Sequence, residues 1–287
     1  MENSGLRKIS VSTVAFDGHA IDVAFATLAE LGVGLVEPAH IKGYMDFSED
    51  DFSEVAASRI VAKLKQHGLR SIAISAHMDS EQDDAVNMLT KRIRFAAGIG
   101  ANYTITNSST LDRQSDFEKC IEANLPLAEE LGVVIALENP GNGVTNLMRD
   151  GKSGAALVRR YNSDFLKLNY DTANALTCTE GDVRPETDID FAFSCAAHMH
   201  LKDVVGRDGS WRYRAIGSGD IDYAVILQKL KTRPEIPLTL ELPLRLIRQF
   251  HQEPKRDAQI PSIADISQAI RSSWNCLADG FGDLTRI

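Results

Sequence analysis

The sequence predicts an α/β protein built as a closed (β/α)8 barrel. Three observations predict it. Short apolar runs alternate with longer amphipathic stretches from end to end, and eight such pairs can be counted. Most of the apolar runs end in a polar residue. These end residues, Glu37, His77, Asn107, Glu138, Asp171, His200 and Glu241, are separated by 40, 30, 31, 33, 29 and 41 residues. One strand–helix unit takes about 30 residues, so the interval fits a ring of eight units. The 287-residue length agrees, since such barrels typically run to ~250 residues. The competing architecture is an open doubly wound sheet. Against it, the first turn lacks the glycine fingerprint GxGxxG, and eight even units are many for one open sheet.

Residues 9–16 read as the first strand. Residues 21–31 have helical spacing and stop at Gly32, a residue suited to a helix C-terminus. Residues 34–37 form a second short run and 52–66 a helix that ends before Gly68. The third strand is 71–76, and 85–97 is helical. Residues 103–106 are the fourth strand. Residues 117–131 are helical, with Gly132 after them and Pro126 inside, where a kink or a helix start is expected. The fifth strand, 133–137, is nearly all apolar, as a strand buried on both faces should be. Then come a helix at 153–161, a strand at 166–170, a helix at 188–195, a strand at 197–201, a helix at 221–231, a strand at 238–242 and a last helix at 263–277. Residues 141–150, 204–220 and 245–261 read as irregular. All three follow a strand, where a barrel builds its active-site loops. The expected organisation is one barrel domain over 1–287, with a loop extension at about 245–262 and a short tail at 278–287.

Composition narrows the function classes. Hydrophobic residues are 44% and charged residues 25%, which excludes wholesale disorder, collagen and a membrane bundle. The formal net charge of −9 disfavours nucleic acid and anionic lipid as partners. Cys120, Cys178, Cys195 and Cys276 are scattered without a CxxC pair, which reads as reduced thiols in a cytoplasmic protein. The first ten residues lack the apolar core of a signal peptide, and no apolar run approaches the ~18 residues of a membrane span.

The chemistry is written at the strand ends. Four consecutive strands end in metal-ligand types: Glu138 in Leu-Glu-Asn-Pro, Asp171 in Tyr-Asp-Thr, His200 in His-Met-His-Leu-Lys-Asp and Glu241 in Leu-Glu-Leu. In a barrel these ends converge on one mouth. Three carboxylates and one imidazole suit a hard or borderline divalent ion: manganese, magnesium or cobalt, with zinc a weaker candidate because thiolates are absent. Any one of the four alone is more simply a solvated strand end; four in sequential strands are not. His198 and His200 share a face, and His198 reads as the packed one. His77 is balanced between a substrate contact and a plain strand end. Lys202 shares His200's face and suits a substrate oxygen or an enolate. Glu37, before Pro38, reads as structural, Asn139 as orienting Glu138 or capping a turn, and Asp203 as capping a loop. Arg245 and Arg248 suit an anionic substrate as well as they suit solvent. Gly217-Ser218-Gly219 reads as a turn rather than a phosphate cradle.

These residues resemble the xylose-isomerase-like TIM-barrel superfamily of sugar isomerases and epimerases, which also includes endonucleases for abasic sites. The likeness is carried by Leu-Glu-Asn-Pro at 137–140, Tyr-Asp-Thr-Ala-Asn at 170–174, His-Met-His-Leu-Lys-Asp at 198–203, Ile-Gly-Ser-Gly-Asp-Ile-Asp at 216–222 and Leu-Glu-Leu at 240–242. The resemblance implies that Glu138, Asp171, His200 and Glu241 hold one divalent metal ion. It also implies that Glu138 and Glu241 move protons beside a carbonyl, through a metal-stabilised enediolate. His77, Asn174, Lys202 and Arg245 are then expected to bind substrate. Asn174 stands where many epimerases and the endonucleases carry histidine, which weakens an epimerase assignment. The absence of further histidines speaks against a three-metal nuclease.

The expected function is therefore isomerisation or epimerisation of a small sugar or keto-polyol. The alternative is a metal-dependent dehydratase of the inosose or dehydroshikimate type. A non-catalytic sugar-binding barrel and an endonuclease rank below both. A homodimer or homotetramer is expected on resemblance alone.

Overall fold

The computed structural model describes residues 7–78, 83–141, 146–250, 252–282 and 284. Its centre is a parallel wall. β1 (Ile9–Ser12) pairs with β2 (Leu35–Glu37), which Pro38 separates from β3 (Ala39–His40). β2 pairs with β4 (Arg70–Ser71), and β3 with β5 (Ala73–Ala76). These four short pieces are two barrel strands, each interrupted once. The ladder continues through β6 (Tyr103–Asn107), β7 (Val134–Glu138), β8 (Leu166–Asp171) and β9 (Ala196–Leu201) to β12 (Leu238–Leu240). β12 then pairs with β1, Ile9 opposite Leu238 and Val11 opposite Leu240. The ring of eight strands is closed.

Side-chain alternation sorts the wall into two faces. Val11, Val36, Ile74, Ile135, Leu137, Leu168, Tyr170, Met199, Leu201, Leu238 and Leu240 join the large core cluster between strands and helices. Their alternates point into the barrel. Ala73, Ile105 and Ala136, packed with Leu35 and Tyr103, form a separate apolar cluster. Farther along the same strands the inward positions turn polar: Ser75, Glu37, Asn169, His198, Thr239 and Ser10, then Glu138, Asp171 and His200. The barrel is therefore filled rather than hollow, and its polarity rises towards the C-terminal mouth.

The helices follow their strands. They are α1 (Ile21–Glu30), α2 (Glu54–Gln66), α3 (Ala85–Gly98), α4 (Gln114–Leu131), α5 (Gly151–Arg159), α6 (Thr172–Cys178), α7 (Pro185–Ala192), α8 (Tyr223–Leu230) and α9 (Ile263–Phe281). Several expectations need correction. The first strand stops at Ser12, whose hydroxyl accepts from the Val14 N–H and starts a 3-10 turn over Thr13–Phe16. α4 begins at Gln114, so Pro126 does not mark a helix start; the helix ends at Gly132 with φ +65°. α6 was not expected: Asp171 caps it by accepting from the Asn174 N–H. α9 runs on to Phe281; of the predicted tail, residues 283 and 285–287 lie outside the described residues.

The largest departure is over the mouth. Much of residues 204–220 and 245–261 is not irregular. β10 (Asp203–Arg207), β11 (Ser210–Arg214), β13 (Leu246–Gln249) and β14 (Lys255–Arg256) form an antiparallel sheet of their own. Asp208 and Gly209, both with positive φ, make the two-residue turn between β10 and β11. No described helix is long and apolar enough to cross a membrane.

Candidate active site

Glu138 is the last residue of β7, Asp171 the last of β8, His200 the fifth of β9, and Glu241 follows β12. In the parallel register Asp171 lies opposite His200, while Glu138 lies opposite Asn169 and Glu241 comes two residues after Thr239, the partner of His200; the side chains converge from these staggered positions at the mouth. One donor atom from each of the four lies within 4.8 Å of the others. All four are at most 3% exposed.

The arrangement is tight but not hydrogen-bonded to completion. His200 Nδ1 is 2.8 Å from Glu138 Oε2, 3.4 Å from Glu241 Oε2 and 3.9 Å from Asp171 Oδ2. Lys202 Nζ lies 2.8 Å from Asp171 Oδ2 and also contacts Glu241 Oε2. Yet Asp171 Oδ2, His200 Nδ1 and Glu241 Oε2 are buried without an aligned hydrogen-bond partner. Each has a charged neighbour but no aligned hydrogen bond, and buried polar atoms are nearly always aligned with a partner, so three such atoms crowded at one point suit a further group. A divalent cation fits that donor set, and the four residues would hold it.

Neighbouring amides pin Glu138 and Asp171. Asn169 Nδ2 donates to Glu138 Oε2 and Asn174 Nδ2 to Glu138 Oε1, both at 2.8 Å. The Asn174 N–H donates to Asp171 Oδ1. Asn139 braces the Asp171 backbone through both ends of its amide. Glu37 is fully buried, and its carboxylate lies 3.2 Å from His200 Nε2 while accepting from the Ser75 hydroxyl at 2.8 Å. Glu37 thus fixes the ring that presents Nδ1 to the cluster, which is more than the structural role its sequence position suggests. A buried carboxylate behind a histidine is a common way to orient a ligand.

Electrostatics follow from burial and crowding. Burial, with Glu138 and Glu241 nearby, pushes Asp171 up to about 7 although Lys202 opposes it. Burial would raise Glu241 too, but Lys202 and His200 hold it well below the usual carboxylate range. His198, one layer deeper, is pushed down to about 3 by burial. Its Nδ1–H donates to Asn169 Oδ1 at 2.8 Å, and its Nε2 is 3.0 Å from the Thr239 hydroxyl. It is a neutral packed histidine, as expected.

Above the cluster opens a cavity of about 510 Å³. Glu138, Glu241, Asn174, Lys202 and His77 line it, together with Tyr44, Asn107 and Arg248. The His77 Nδ1–H donates to Asn107 Oδ1 at 2.9 Å, leaving Nε2 3.6 Å from Glu138 Oε2. The four expected substrate contacts therefore divide. His77, Asn174 and Lys202 face the cavity. Arg245 does not line it: its guanidinium donates to Asp17 Oδ2 at 3.1 Å and to the Asp257 carbonyl at 3.0 Å. Strand alternation in β13 instead turns Arg248 inward beside Leu246. Gly217-Ser218-Gly219 wraps the protein's own carboxylate, the N–H groups of Gly217 and Gly219 donating to Asp203 Oδ2. A Cβ at Gly219 would stand 2.1 Å from Asp203 Oδ1, so glycine is required there.

The sequence pattern of the xylose isomerase-like TIM-barrel family matches residues 25–266. No curated protein matches the chain. Among solved structures, the chain is similar to a xylose isomerase domain containing protein from Salmonella typhimurium LT2, with 17% identity, TM-score 0.70, and 96% and 99% of the two chains covered. It is also similar to a D-psicose 3-epimerase crystallised with D-fructose, with 15% identity, TM-score 0.70, and coverage of 96% and 99%. A third is a probable 3-DHS dehydratase of petrobactin synthesis from Bacillus anthracis, with 17% identity, TM-score 0.61, and coverage of 82% and 92%. At these identities the likeness is one of fold.

Proposed function

The chain belongs to the xylose isomerase-like TIM-barrel family, and from that premise we propose that it is a divalent-metal-dependent isomerase or epimerase of a small sugar or keto-polyol. The observation that carries the reading is the convergence of Glu138, Asp171, His200 and Glu241, with three buried atoms that make no aligned hydrogen bond. A divalent ion, when bound by these four residues, supplies Lewis-acid stabilisation of negative charge on substrate oxygens. The rest belongs to the chain. Glu241, held ionised by Lys202 and His200, is suited to remove a proton from the carbon beside a carbonyl. Glu138, fixed by two asparagine amides, is suited to return one. His77 Nε2 and Lys202 Nζ are placed to bind substrate oxygens.

A second reading, dehydration beside the carbonyl, is favoured by Lys202. A buried ammonium at the cavity floor can hydrogen-bond a departing hydroxyl and offset the charge it leaves with. One experiment addresses both. Metal-loaded protein is incubated in heavy water with a panel of keto sugars and inososes. Deuterium entering beside the carbonyl supports proton abstraction, and a new conjugated absorbance supports dehydration. Neither signal with any member would overturn the proposal. A homodimer or homotetramer is part of the same proposal and is checked by light scattering.

A further inference from the structure

Arg248 is 4% exposed, yet it lines the cavity. Its Nη2–H donates to the Tyr44 hydroxyl at 3.1 Å, while Nε and Nη1 are buried without a partner. The groups that face it most closely are two phenols, Tyr44 and Tyr213, which can accept hydrogen bonds from it but carry no charge near neutral pH. Glu253 lines the same cavity, and no ion pair joins Arg248 to a carboxylate among the described residues. A guanidinium cannot shed its proton, so this is a permanent buried charge with no counter-ion among the described residues. The other cations on the cavity wall are engaged. Lys202 is held by Asp171 and Glu241, and Lys42 has an interaction of its own.

The surroundings keep Arg248 in place rather than neutralise it. Arg245 and Arg256 both donate to Asp17, and Arg256 also donates to Asp46, tying β13 and β14 to the barrel rim. The backbone at Gly141 comes close to both side chains: a Cβ there would stand 3.0 Å from Arg248 Nη2 and 2.5 Å from Asn174 Oδ1. The guanidinium therefore sits beside the asparagine that holds Glu138. A substrate group bound to it would be adjacent to the reacting end of the cavity.

We propose that Arg248 is a specificity residue that binds a carboxylate of the substrate, so that the preferred substrate is a sugar acid or polyhydroxy keto acid rather than a neutral ketose. A single unmatched positive charge balances one carboxylate; a phosphate at neutral pH would bring roughly two negative charges. Planar, charge-assisted pairing with a carboxylate is what a guanidinium does best. The inference rests on the sugar-processing reading of the same cavity, but its test does not require turnover.

The test is calorimetric binding of gluconate, glucitol and glucitol 6-phosphate, which share a polyol chain and differ in the terminal group. It is run on chelator-treated protein and on metal-loaded protein, so that carboxylate coordination to metal is separated from Arg248. The metal-free protein is expected to bind gluconate at least about tenfold tighter than glucitol, and Arg248→Met is expected to bring the two to within about twofold. Arg248→Lys should restore part of the difference. Equal binding of gluconate and glucitol by the wild type would overturn the proposal without involving any variant. Preference for the phosphate over gluconate would overturn the carboxylate assignment, and a gluconate preference that survives in well-folded Arg248→Met would overturn the role of Arg248. Deuterium exchange into neutral ketoses is a separate readout: its absence tests the isomerase reading and leaves the binding comparison intact.

Discussion

Two polar layers lie one above the other inside the barrel, and they are built on opposite terms. In the lower layer, Ser10, Asn169, His198 and Thr239 bond to one another, with Ser10 Oγ 2.6 Å from Thr239 Oγ1 and Asn169 bridging His198 to Glu138. In the upper layer, Glu138, Asp171, His200 and Glu241 crowd together and leave three atoms in charged contacts without an aligned hydrogen bond. Both layers are buried, and both carry a histidine on β9. What separates them is completeness. A buried polar network that satisfies itself serves the fold, whereas one that stops short is arranged for a group that arrives from outside.

The sharpest way to break that comparison is to disable the upper layer. Glu138→Gln should lower turnover by about 10²- to 10⁴-fold on whichever substrate the panel identifies, measured as kcat. Elemental analysis after desalting should find about one divalent ion per wild-type chain. Most of it should be lost in Glu138→Gln and Asp171→Asn. Wild-type protein that holds no metal after loading would remove the distinction between the layers.

The lower layer should respond in stability instead. His198→Gln removes the ring that bonds Asn169 and stands beside Thr239, and it should cost about 1–3 kcal/mol in urea unfolding. Metal content should stay near the wild-type value. Its pH signature has a definite sign. His198 is pushed down to about 3 in the fold, against an ordinary value of 6.5. Above 6.5 both states are neutral and the stability is whole. Below it the unfolded chain takes a proton that the folded chain refuses, so stability falls as pH falls, until about 3. Between pH 6.5 and pH 5 this group alone should account for roughly 2 kcal/mol, a slope missing from His198→Gln. The smallest effect belongs to the mouth. Arg245→Ala should raise KM severalfold with little change in kcat, because Arg245 secures the strand that carries Arg248 (a side-chain bond of this kind is worth about 1 kcal/mol). Unchanged kinetics would detach that anchor from substrate binding.

How legible these regions were in the sequence differs for a physical reason. The wall and the upper layer are periodic: a strand–helix unit repeats, and ligand-type residues recur at its joints, so Glu138, Asp171, His200 and Glu241 could be named from spacing. The sheet over the mouth has no such repeat. Its one local signal was Asp208-Gly209 between Val204-Val205 and the alternating Ser-Trp-Arg-Tyr-Arg of 210–214, a hairpin pattern that the surrounding loop lengths masked. Arg245 and Arg248 are three residues apart, and only the pairing of β13 with β11 decides which one turns inward. Glu37 was discounted because of Pro38. Its value lies in reaching His200, 163 residues away in sequence, a contact that no local pattern encodes.

The closure of the ring also sets an order of events in time. β1 takes its place beside β12, so residues 9–11 wait for residues 238–240, the last wall strand to leave the ribosome. Glu241 comes directly after that strand. Until then Glu138, Asp171 and His200 lack their fourth member, and the barrel has two open edges exposed to pairing with another chain. Completion of the wall and completion of the four-residue cluster at its mouth are thus one event in the birth of the molecule. A nascent chain cannot gather all four side chains in a barrel before that barrel can close.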